Sequence, residues 1–319
     1  MTTPFSGVYP AMTTPFREDR RIDHDRLAAD ARRLEAAGVD GLVPVGSTGE
    51  SATLTHDEHA RVVETVVDAV DDVPVIAGAG SNATHEAVSL AEDAEEAGAD
   101  AVLLISPYYN KPEAAGYLDH YRTIADSVDL PGIVYNVPSR TGRNVPVDVV
   151  AELAEHPNVQ GYKAASGDLG RVSEVIERTR DETFSVLSGD DGLTLPICSL
   201  GGTGAISVVA NVEPERTGAM VGAVAENQRF SAANQKSKIS GDAAASDMAR
   251  ARELHYELEP LIRDLFVETN PIPVTEAMAI REDHPPYVRS PLTRLSEEHR
   301  EALRETLADL AGGEPEVTT

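Results

Sequence analysis

Short apolar runs alternate with longer amphipathic stretches along most of this chain. The apolar runs are "GVYPA" (7–11), "GLVPVG" (41–46), "PVIAGAG" (74–80), "AVLLIS" (101–106), "GIVYN" (132–136), "VQGYK" (159–163), "FSVLSG" (184–189) and "GAISVV" (204–209). Each is short, nearly continuous and rich in β-branched residues, the pattern of a strand buried on both faces. Between them lie stretches with helical spacing, such as "DRLAADARRLEAAG" (25–38) and "THEAVSLAEDAEEAG" (84–98). Their terminal glycines suit the residue just past a helix. Eight strand–helix units in about 210 residues predict a (β/α)8 TIM barrel over 1–211. A doubly wound open sheet is the alternative, because periodicity does not register closure. A C-terminal helical extension is expected over 212–312, packed on the barrel, with a disordered tail over 313–319.

That architecture places chemistry on the loops after the strands' C-terminal ends. The polar motifs fall there: "GSTGES" after the second run, "SPYYNKP" after the fourth, "YNVPSRTG" after the fifth, "YKAASGD" at the end of the sixth. The seventh run leads into "SGDDG" and the eighth into "VVAN".

Composition narrows the partners. A formal net charge of −27 repels nucleic acid. The acids are spread along the chain, and 41% hydrophobic residues with clear periodicity oppose a disordered reading. Such acidity resembles that of halophilic proteins, where salt screens self-repulsion, with a Debye length of about 3 Å at 1 M. No apolar run reaches membrane-spanning length, and the N-terminus lacks the marks of a signal peptide, so a cytoplasmic protein is expected. The single cysteine, Cys198, forms neither a disulfide framework nor a cysteine-built metal site.

Lysine is scarce: of 27 basic residues only Lys111, Lys163, Lys236 and Lys238 are lysines. Of these, only Lys163 ends a strand-like run. An amine that sheds its proton and attacks a carbonyl cannot be replaced by a guanidinium. The competing reading is a structural lysine paired to an acid. "GSTGE" (46–50) sets two hydroxyls and open backbone amides at a strand–helix junction, suited to a carboxylate or a phosphate, or to an ordinary helix cap. Tyr135 suits proton transfer beside an imine or simple packing. Arg140 suits a carboxylate fork or plain surface charge. Tyr108 and Tyr109 suit a subunit interface. His56 and His59, three apart, lack a third metal ligand and read first as helix surface. No dinucleotide fingerprint is present.

Together "GSTGESATLTHDEH", "PYYNKP", "YNVPSRTG", "GYKAASGD", "LSGDD", "GGTGAISVVAN" and "ETNPIPV" resemble the ordered motifs of the dihydrodipicolinate synthase / N-acetylneuraminate lyase family, from about residue 4 to 300. "YNVPSRTG" points to the synthase branch, because its Arg sets that branch apart. The resemblance implies a Schiff base between Lys163 and pyruvate, and condensation with L-aspartate 4-semialdehyde to 4-hydroxy-tetrahydrodipicolinate in diaminopimelate and lysine biosynthesis. Tyr135, Ser47 and a neighbouring subunit's Tyr109 would relay protons. Thr48 would hold the pyruvate carboxylate, Gly189 and Ile206 would line its pocket, and Arg140 would receive the second substrate's carboxylate. The resemblance implies a homotetramer and no metal or organic cofactor. It also implies an L-lysine inhibitor site at Ser51, Ala52, His56, His59, Asn82, Glu86 and Tyr108.

The sequence departs from the family pattern in four places. Ser47 replaces Thr, Ala164 replaces Glu, Thr275 replaces Lys, and the segment 226–247 is long. The rival readings are a pyruvate-dependent aldolase for a keto-deoxy sugar acid, sharing every residue but the meaning of Arg140, and a ligand-binding barrel without activity.

Overall fold

A computed structural model describes residues 4–234 and 242–312. The expected tail, and residues 235–241 of the long segment, lie outside the described residues. Among the described residues seven strands form one parallel sheet: β1 (Gly7–Pro10), β2 (Ile76–Gly78), β3 (Ala101–Ile105), β4 (Gly132–Asn136), β5 (Val159–Ala164), β6 (Ser185–Ser188) and β7 (Gly204–Ser207). Their order is β1-β7-β6-β5-β4-β3-β2.

The run 41–46 differs from the expected ladder strand. It makes single bridges, Val43 to Ala11 and Leu42 to Val75. It is nevertheless hydrogen-bonded on both sides. Val43 N donates to Pro10 O at 2.9 Å and Leu42 N to Pro74 O at 2.9 Å, while Met12 N and Ile76 N donate back to Val43 O and Leu42 O. This eighth stave joins β1 to β2 and closes the (β/α)8 cylinder. The ladder stops because Pro44 has no N–H to give and Val45 turns out of extended geometry at φ 48°.

The helices start and stop as their sequences dictate. Thr55 accepts from Glu58 N while the Glu58 carboxylate accepts from Thr55 N, a capping box opening the helix His56–Val67. Such a cap contributes about 1 kcal/mol. The helix His24–Ala36 gives way to Gly38 at φ 78°, and the helix Thr84–Glu96 to Gly98 at φ 86°. An Asp two residues after each of these glycines feeds the barrel floor. Asp40 accepts Val8 N at 2.7 Å and Asp100 accepts Val75 N at 2.8 Å.

Two apolar layers result. Leu27, Leu34, Val62, Leu104, Val134 and Tyr162 pack between sheet and helices. Tyr9, Val43, Ile76, Leu103, Ile133, Leu187 and Ile206 fill the cylinder. Truncating one such fully buried Leu to Ala costs about 2–5 kcal/mol. Beyond β7, the helix Pro214–Asn234 packs Met220, Val221 and Val224 against Val8 of β1 and against Leu195 and Cys198 of the helix Thr194–Leu200. The helices Asp242–Leu265, Ile272–Arg281 and Glu297–Gly312 share a further cluster with Val208, Val209 and Val212. That cluster lies just past the end of β7 and carries the turn between the first two of these helices onto the barrel mouth. Among the described residues no helix is long and apolar enough to cross a membrane.

Candidate active site

The site is built from period-two alternation at the ends of two neighbouring strands. In β5, Tyr162 and Ala164 face the helix layer, so Lys163 between them points into the cylinder. The carboxylate that Ala164 lacks would therefore have faced the helices, not the cavity. Tyr135 of β4 is in register with Lys163, and Lys163 with Leu187 of β6. This pairing holds the Lys163 ammonium nitrogen 4.3 Å from the centre of the Tyr135 ring. Opposite stands Gly189. A Cβ there would lie 2.7 Å from Lys163 Cε and 2.8 Å from its Cγ, so only glycine leaves the lysine its path.

Burial decides the chemistry of this amine. Lys163 is 5% exposed. Loss of hydration pulls its pKa from 10.5 down to about 7, and the Arg140 charge pushes the same way, against the carboxylate of Asp191. Asp191 is itself held by Ser207 Oγ at 2.6 Å and by the amides of Val208 and Val209. Burial likewise lifts the Tyr135 phenol to about 12, opposed by Arg140 and by a hydrogen bond to the Ser47 side chain. Near neutral pH the site thus holds an amine ready to lose its proton beside a phenol that keeps its own.

Lys163, Tyr135, Ser47, Thr48, Arg140 and Gly189 line one cavity of about 650 Å³. Among the described residues no acceptor takes the amides of Ser47 and Thr48. Arg140 lies in the helical turn Pro138–Thr141, its guanidinium donating to Asn270 O at 2.9 Å. Ile206 does not border the cavity. It lies beneath, packed in the cylinder with Tyr135 and Leu187. Tyr109 stands apart on the loop after β3, 88% exposed and at φ 66°. Thr275 is buried in the helix Ile272–Arg281, among the C-terminal helices.

A second cavity of about 470 Å³ shares Ser47, Tyr135 and Arg140 with the first and continues past Ser51, Ala52, His56, His59, Glu86 and Tyr108. Asn82 is not on its wall; its carbonyl accepts from Asn110 Nδ2. Glu86 accepts from His56 Nε2 at 3.0 Å and from the Ser81 hydroxyl, and these bonds hold its carboxyl below the usual range. His59 spends Nε2 on Gly78 O at 2.6 Å, and burial lowers its pKa. Both histidines line this cavity, and His59, 4% exposed, is buried rather than the helix-surface residue its spacing suggested. Among the described residues no three His, Cys, Asp or Glu side chains converge as metal ligands.

Residue-type reasoning did not single out Asn270, Asp190 or Asp191. Asp190 lines the first cavity, its carboxyl raised by burial. All three lie inside motifs visible in the sequence, "ETNPIPV" and "LSGDD", but only the folded turn brings Asn270 over the mouth.

Fold and site define a (β/α)8 barrel with a buried, low-pKa amine at its C-terminal rim, the equipment of a carbonyl-condensing enzyme. The sequence model of the Dihydrodipicolinate synthetase family matches residues 4–241 and 231–310, and the chain belongs to that family. The chain is 64% identical over 306 residues to a 4-hydroxy-tetrahydrodipicolinate synthase of Haloarcula marismortui, covering 96% of this chain and 94% of that one. It is 65% identical to the synthase of the same name from Natronomonas pharaonis, covering 96% and 98%. The crystal structure of dihydrodipicolinate synthase from Aquifex aeolicus superposes with a TM-score of 0.88 at 41% identity, covering 96% of this chain and 98% of that one.

Proposed function

We propose that this chain condenses pyruvate with L-aspartate 4-semialdehyde to give 4-hydroxy-tetrahydrodipicolinate, through an imine on Lys163. The observation that carries the reading is the buried Lys163 amine, with a pKa near 7, in register with Tyr135. The neutral amine adds to the ketone of pyruvate, and the carbinolamine hydroxyl takes up a proton and leaves as water, giving an iminium. The iminium draws electrons from the adjacent methyl group, a proton departs, and an enamine forms. The enamine carbon bonds to the aldehyde carbon, and the aldehyde oxygen takes a proton. The substrate's own amine then displaces Lys163, closes the ring and frees the enzyme.

Tyr135 and Ser47 stand where those protons move. Tyr109, exposed on its own subunit, is free to complete the relay in a neighbour of a tetramer. Thr48 and the adjacent amides hold the pyruvate carboxylate, Gly189 opens room beside Lys163, and Ile206 supports the floor. Arg140 takes the carboxylate of the second substrate. No cofactor enters this chemistry, because the iminium is the electron sink. The described residues up to 211 make the barrel, and those between 212 and 312 the helical region packed on it. The charge of −27 suits a protein of a salt-rich cytoplasm.

A second reading concerns the neighbouring cavity. Its His56–Glu86 pair and the buried His59 suit an amino-acid effector, and L-lysine fits an acidic group set for an ammonium.

Borohydride with pyruvate should add one covalent adduct per chain, on Lys163, and Lys163→Arg should abolish it. Coupled assays with aspartate semialdehyde and with a keto-deoxy sugar acid then separate the synthase from the aldolase. An adduct on Lys111, or none, defeats the imine mechanism.

A further inference from the structure

Thr48 and Arg140 sit on different barrel loops, yet both are tied to one residue of the C-terminal region. Asn270 occupies the turn between the helices Asp242–Leu265 and Ile272–Arg281 and is 8% exposed. Its backbone carbonyl accepts Arg140 Nη2 at 2.9 Å. Its side-chain amide donates to Thr48 Oγ1 at 3.0 Å.

We infer that Asn270 is a positioning residue that sets the hydrogen-bond polarity of Thr48, making its hydroxyl a donor to the substrate carboxylate. A threonine hydroxyl has one proton and two lone pairs. The Asn270 N–H fills an acceptor lobe of Thr48 Oγ1, so the Thr48 proton remains to be given elsewhere. Among the described residues none takes it, and Thr48 lines the cavity that Lys163 enters. Were the polarity reversed, an oxygen lone pair would face an anionic carboxylate, and binding would weaken. Ser47 and Thr48 lie in one loop, but only Thr48, 3% exposed, is locked in this way. The inference rests on the reading that pyruvate binds beside Lys163 with its carboxylate toward Thr48.

The test measures borohydride trapping of pyruvate alone, over a range of concentrations. Asn270→Asp keeps the size of the side chain but presents only acceptors, which capture the Thr48 proton. Asn270→Leu removes the donor without adding charge. Both should raise the half-saturating pyruvate concentration about tenfold or more, while the maximal trapping rate changes less than twofold. In a Thr48→Val background, Asn270→Leu should cost less than twofold further, because the group it acts through is gone. Equal losses in both backgrounds would show that Asn270 only supports the fold and would overturn the inference. So would wild-type saturation in Asn270→Asp. Should the unaltered chain trap no pyruvate at all, the imine reading itself fails; should it trap while the variants match it, only the role of Asn270 fails.

Discussion

The pH dependence of imine formation follows from the burial of one side chain. An exposed lysine at its ordinary pKa of 10.5 is about 0.03% neutral at pH 7, whereas Lys163, drawn down to about 7, is about half neutral there. The gain in nucleophilic amine is about three orders of magnitude, and the displacement corresponds to about 5 kcal/mol. Pyruvate trapping under limiting pyruvate should therefore rise about tenfold for each pH step below 6, bend near 7 and level off above 8. Arg140→Ala should move the bend upward, since the Arg140 charge helps expel the proton. Stability reports the same energy with a definite sign. Between about pH 7 and 10.5 the unfolded chain binds a proton at this lysine and the folded chain does not, so folded stability rises with pH through that window. Below pH 7 the penalty is fully present. Lys163→Met should thus melt at higher temperature than the unaltered chain at pH 6, by up to about 5 kcal/mol, with the gap closing toward pH 10.5. A trapping rate that climbs steadily to pH 10, or a Lys163→Met variant no more stable at pH 6, would refute burial as the cause.

Gly189→Ala puts a methyl 2.7 Å from Lys163 Cε, and trapping should fall at least tenfold in rapid-quench experiments while circular dichroism stays unchanged. Unaltered trapping would show that the lysine has another path. Arg140→Ala should raise the KM for aspartate semialdehyde far more than the half-saturating pyruvate, by the about 1.5–3 kcal/mol of a charged hydrogen-bonded pair; equal losses would assign Arg140 to the barrel. Tyr109→Phe should lower turnover more than tenfold without moving the melting temperature, and light scattering in high salt should give a tetramer; a fully active monomer contradicts both. Millimolar L-lysine should slow turnover without competing with pyruvate, and Glu86→Ala should weaken that effect; inhibition that ignores the substitution places lysine elsewhere.

The alternation of apolar runs and amphipathic helices determined seven of the eight expected strands, their parallel sense and the loops that carry the motifs, because buried parallel strands and helix caps are local facts of sequence. Lys163 was legible for a related reason. A strand's period fixes which face a residue points to, and an arginine-rich chain makes one lysine conspicuous. Closure of the cylinder was not legible. It depends on Leu42 and Val43 reaching across to both β1 and β2 with single bridges, which no periodicity encodes. The pairing of Tyr135 with Lys163 is a matter of register between strands, and the lowered pKa comes from the layer of other chain segments that excludes water. Asn270 is the clearest case. Its motif was visible, but its contact with Thr48 spans 222 positions of chain. Only the packing of the C-terminal helices against Val208, Val209 and Val212 decides that an asparagine there sits over the mouth of the barrel.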